Sequence, residues 1–100
     1  MLEKLTIDSF TPHVGSSFHL EAEGLQSMEL TLESVDPVGQ EPKPDEQRQR
    51  PFSLLFLGPL EPTLPQQMVP LRHAVMGGLD LFLVPLGPNE KGMIYEAVFN

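Results

Sequence analysis

Apolar and polar residues alternate with a period of two over several short stretches of this chain, and only one segment near its start keeps a helical spacing. From Phe18 the pattern sets Phe18, Leu20 and Ala22 on one side and His19, Glu21 and Glu23 on the other. Gly24-Leu25-Gln26 supplies a turn, after which Met28, Leu30 and Leu32 alternate with Glu29, Thr31 and Glu33. Successive strand side chains point to opposite faces, so this pair predicts a β-hairpin with one buried face and one wet, acidic face. The last predicted strand, Met93 to Phe99, sets Met93, Tyr95, Ala97 and Phe99 against Ile94, Glu96 and Val98.

Two segments depart from clean alternation. Phe52-Ser53-Leu54-Leu55-Phe56-Leu57 is apolar on both faces, and Leu79 to Leu86 is nearly so apart from Asp80, with Pro85, Gly87 and Pro88 marking its end. A strand reads this way when it is covered on both sides or when one side meets another subunit. Met68 to His73 is a further strand, in which Pro70 cannot donate a ladder hydrogen bond and an edge position is favoured. Ahead of all of them, Thr6-Ile7-Asp8-Ser9-Phe10 opens with a hydroxyl residue able to cap a helix and an acid in the first turn. Pro12 and Gly15 leave room for a turn or two. Ile7, Phe10 and Val14 recur at helical spacing and predict a plug laid over the sheet.

The connectors are rich in proline and glycine. Asp36 to Pro51 carries Pro37, Gly39, Pro42, Pro44 and Pro51 among polar residues, a composition that predicts a long exposed loop. Pro59 to Pro65 reads as a second connector, Met76-Gly77-Gly78 as a turn, and Pro88 to Gly92 as a polar hairpin loop. The expectation is a single domain over residues 1–100, all-β, with a six-stranded antiparallel meander forming a small barrel or a two-sheet sandwich and one short N-terminal helical turn. A single open sheet would leave Leu55, Leu57, Phe82 and Val84 exposed. Closure into a barrel and burial against a second copy are the two ways to cover them.

Composition narrows the classes. Eleven prolines, about twice the average usage of roughly 5%, leave little room for long helices. Fourteen acids against six bases give a formal charge of −8, which repels phosphate and anionic headgroups and argues against nucleic-acid and membrane partners. The bases are scattered, and the one local pair, Arg48 and Arg50, is offset by Asp45 and Glu46. With no cysteine, disulfides, thiolate nucleophiles and sulfur-ligated zinc are excluded. The start, Met1-Leu2-Glu3-Lys4-Leu5-Thr6, lacks the apolar core of a signal peptide, and no apolar stretch approaches the roughly 20 residues that span a bilayer. A cytoplasmic protein is expected.

Motifs for chemistry are scarce. His13, His19 and His73 have no spacing that would set two of them on one helix face as metal ligands. Gly15-Ser16-Ser17 lacks the spacing and lysine of a phosphate loop, and no serine sits in a Gly-x-Ser-x-Gly elbow. Glu29 and Glu33 on one strand face are about 13 Å apart by the rise per residue, too far for a catalytic pair. Pro59-Leu60-Glu61-Pro62 and Pro62-Thr63-Leu64-Pro65 match a loose proline-motif spacing without a flanking base. No catalytic residue, metal or cofactor is expected. The polar groups most able to converge in a pocket are Tyr95, His19, His73 and Glu96.

Leu5-Thr6 with Phe10 and Val14-Gly15, then Pro51 to Phe56 with Gly58-Pro59, Leu81 to Pro85 with Gly87-Pro88, and the ending Met93 to Asn100 follow one another in an order that resembles an uncharacterised bacterial family of small all-β domains, catalogued only as the domain of unknown function DUF6916. The resemblance implies a shared fold and carries no activity, substrate or site residues. The expected function is a non-catalytic protein-interaction or assembly module that binds a protein partner or self-associates as a homodimer. A small-molecule-binding barrel or an unrecognised enzyme is the alternative.

Overall fold

The computed structural model describes residues 5–21, 24, 27–39, 43–45 and 50–99. A short helix α1 (Ile7–Phe10) and a 3-10 turn over Thr11–His13 precede six strands: β1 (Ser17–Leu20), β2 (Met28–Pro37), β3 (Phe52–Gly58), β4 (Gln67–His73), β5 (Gly77–Pro88) and β6 (Met93–Phe99). Every pairing is antiparallel, and the strands close into a barrel in the order β1-β2-β3-β6-β5-β4. Of the two architectures open from the pattern, the barrel is the one formed. Its connectivity is not one continuous meander. β1-β2-β3 and β4-β5-β6 are two meanders joined edge to edge, and residues 59–66 carry the chain from one to the other across an end of the barrel.

Alternation sets what lies inside. Phe18, Leu20, Leu30, Leu32, Phe52, Leu54, Phe56, Val69, Leu83 and Tyr95 are fully buried, so the interior is packed with side chains. Gly58 faces inward where a Cβ would meet Leu30 Cδ2 at 2.6 Å and Tyr95 Cε2 at 3.2 Å, and a larger residue would displace both. One end is covered by the helical segment. Thr6 N–H donates to Ser9 Oγ at 3.0 Å at its start, and the buried Phe10 ring lies 5.4 Å from Phe99 and 6.0 Å from Phe52. The plug reading holds for Phe10 and for Ile7, but not for Val14, which is 46% exposed because the turn ends at His13 and the chain swings outward. The other end is covered by the connector, whose buried Leu64 donates its backbone N–H to Tyr95 Oη at 2.8 Å.

Several boundaries move for identifiable reasons. β2 continues through Asp36 and Pro37 because a bulge between Leu32 and Ser34 returns Val35 to the inside, so the predicted loop begins later, at Val38. Gln40–Pro42 and Glu46–Gln49 of that loop lie outside the described residues, as do Ala22, Glu23, Leu25 and Gln26 of the first hairpin. β5 runs past Pro85 to Pro88 because its pairing with β4 stops at Leu83, and a strand with no neighbour on that side tolerates proline. The turn before it spans 74–76, and Gly77 and Gly78 already pair with His73 and Arg72. β4 is no free edge: it pairs with β5 along its length and with β1 at Arg72 and Leu71, while Pro70 falls where β1 has ended.

Candidate functional site

Closing the barrel does not hide the second apolar face. Leu55 and Leu57 of β3 and Phe82 and Val84 of β5 all point outward, because only one face of each strand can line the interior. Phe82 is 46% exposed, and the other three are half-buried. Barrel closure and burial against a partner were alternatives for these residues; the structure has the first and leaves the second open. The registers assemble a patch across four strands. Met68 of β4 pairs with Phe82, and Val84 of β5 pairs with Glu96 of β6, which in turn pairs with Leu55 of β3. Leu57 pairs with Ile94, and Val98 lies two residues beyond Glu96 on the same face. Met68 is 60% exposed, Val98 50%, and Leu86, the extra residue of a β5 bulge, 55%. Ile94 and Val98 were legible as outward residues from the β6 alternation. Met68 was not, since nothing in the sequence tells which strand lies beside β5.

Glu96 sits in the middle of this patch. Val84 and Leu55 flank it across the ladder, and Ile94 and Val98 flank it along its own strand. Glu96 is thus a half-buried acidic residue whose neighbours across the ladder and along the strand are aliphatic.

The four polar residues expected to converge do not. Tyr95 is inside the barrel with its hydroxyl on Leu64 N–H, whereas its neighbour Glu96 is outside. His19 lies on the outer face of β1, where its Nε2 is 3.6 Å from Glu29 Oε1. His73 is buried at the end covered by the helical segment. Only His19 and His73 line a common depression, of about 520 Å³, with Ser16, Ser17 and Arg72. The failure has one cause: a period-two strand sends adjacent residues to opposite sides of a filled barrel wall.

His73 has a defined set of contacts. Its Nδ1 accepts the backbone N–H of Val75 at 3.0 Å and of Met76 at 3.1 Å. The proton of the neutral ring therefore resides on Nε2, which lies 2.8 Å from Ser16 Oγ, and that hydroxyl in turn donates to the His13 carbonyl at 2.6 Å. In this tautomer the imidazole donates to the serine and cannot serve as its base. The ring also lies 4.4 Å from Phe18 and 4.6 Å from His13. Burial, and secondarily the neighbouring His13, hold its pKa below the ordinary histidine value. The Ser16 contact spans 57 residues and left no local signal. Among the described residues no group of three His, Asp or Glu side chains could hold a metal ion, and no helix is long and apolar enough to cross a membrane.

The structure defines a plugged, six-stranded antiparallel barrel with a filled interior and an apolar outer patch. The chain belongs to the family described as Domain of unknown function (DUF6916), whose family model matches residues 5–99. No curated protein and no solved structure matches it.

Proposed function

We propose that this domain is a non-catalytic protein-interaction module and that its partner docks on the outer patch of β4, β5, β6 and β3. The observation that carries the reading is the continuity of Met68, Phe82, Val84, Val98 and Leu55 across adjacent strands around Glu96, where isolated exposed apolar residues would need no explanation. The packed interior supports it as well, since the barrel's inner face is occupied by its own Phe and Leu side chains. The occupant is a different protein. Two copies of a chain carrying −8 each repel, whereas a neutral or basic partner is attracted.

Photo-crosslinking in cells tests this. With p-benzoylphenylalanine at position 82, an adduct of defined mass is expected that the face variant Val98→Ser abolishes, while the same label at position 29, on the other side of the barrel, does not form it. No adduct, or one that forms equally from position 29, would overturn the reading. An adduct at twice the chain's own mass would replace the foreign partner by a second copy.

A further inference from the structure

We infer that the partner presents a lysine or arginine within an apolar surface, and that this cation pairs with Glu96. The inference rests on the docking reading above and specifies its chemistry. A partner that covers the patch removes the Glu96 carboxylate from water, and a carboxylate so covered must be neutralised or paired. Among the described residues, those flanking Glu96 are Val84, Leu55, Ile94 and Val98, none of which can pair with it.

The same geometry disfavours a symmetric dimer whose axis passes at Glu96. A two-fold interface brings the same patch from both copies together. With the two-fold axis passing near Glu96, the second copy would set against it the same aliphatic neighbours and another Glu96, while Arg72, the described cation on the outward row of β4, lies four residues beyond Met68. A foreign surface with one basic side chain among apolar ones satisfies both features at once. The aliphatic ring around Glu96 would exclude water from the pair and strengthen it.

Synthetic amphipathic peptides of equal length and identical leucine faces serve as probes, one with a lysine polar face and one with a glutamate polar face. Binding to the full chain is measured by calorimetry at about 0.15 M salt, where long-range attraction is screened. The lysine peptide is expected to bind more tightly. Glu96→Gln should weaken it about tenfold, the loss of one charge-assisted pair, and Glu96→Lys should reverse the preference toward the glutamate peptide. Glu29→Gln, which removes the same charge elsewhere, should change affinity by less than about twofold. Equal losses from Glu96→Gln and Glu29→Gln would overturn the inference, because net charge alone would then explain binding. If Phe82→Ser and Val98→Ser abolish binding of both peptides while Glu96→Gln does nothing, the docking face stands and the cation does not. If neither of those serine variants matters, the face falls too.

Discussion

The two seams that join the three-stranded halves of this barrel are built differently. β3 and β6 are in register over seven residue pairs, from Phe52↔Phe99 to Gly58↔Met93. β1 and β4 share two, His19↔Arg72 and Leu20↔Leu71. A ladder that short cannot hold two strands together by backbone hydrogen bonds alone. At the narrow seam, side chains take over: the Phe18 ring of β1 contacts His73 of β4, and His73 is bound to Ser16 just ahead of β1 and to the 74–76 turn just after β4. One seam is closed by its ladder, and the other by a buried imidazole and a ring. Perturbations of the two should therefore differ in size and in their response to pH.

The largest effect is expected at a residue that serves both seams. Phe56 pairs with Tyr95 across the wide seam, and its ring packs edge-to-face with that of Phe18, the ring centres 5.3 Å apart. Phe56→Ala should cost about 3–5 kcal/mol by urea unfolding. A loss under about 1 kcal/mol would mean that the wide seam holds without its core.

A smaller, pH-specific effect is expected at the narrow seam. Because the folded pKa of His73 lies below the unfolded value, the unfolded chain binds more protons as pH falls through that window. The stability His73 contributes is thus complete above the ordinary histidine pKa and is lost as pH drops through the lowered folded value. Protonation would place a second N–H against those of Val75 and Met76, with His13 the titratable ring facing it. Wild-type unfolding free energy should fall as pH drops below the ordinary histidine value of about 6.5, and His73→Gln should start lower and lose much of that slope. An unchanged slope in His73→Gln would show that His73 is not the source of the pH response.

The smallest effect belongs to neither seam. Deleting residues 40–49 shortens a connection within one half, whose base is held by Val38 N–H on the Pro51 carbonyl at 2.9 Å and Arg50 on the Gly39 carbonyl at 3.3 Å. Closure entropy changes by only about 0.6 kcal/mol per doubling of loop length, so the melting temperature should barely move. A large drop would show that this segment packs on the barrel.

Much of the fold was legible in the chain because alternation reports the strand and its inner face directly. Phe18, Leu20, Leu30, Leu32, Tyr95 and Ala97 are all buried as their positions require. Where alternation failed, in β3 and β5, the failure itself was informative, since Leu55, Leu57, Phe82 and Val84 are the outward residues of the candidate face. The polar site was misread for the opposite reason. Tyr95 and Glu96 are adjacent in sequence and separated by the barrel wall, and His19 and His73 reach different faces of the β1–β4 seam.

By itself the sequence determined that this is a small acidic antiparallel β domain with a short N-terminal plug and more apolar strand surface than one core can hide. Those properties follow from local periodicity and composition, which need no knowledge of neighbours. Only the tertiary structure decided that β3 pairs with β6 rather than β4, that His73 meets Ser16, and that Met68 and Phe82 join the face on which Val84, Leu55, Ile94 and Val98 surround Glu96. Such pairings depend on which strand edges close the barrel, a choice made by packing among distant segments and left unmarked in any one of them.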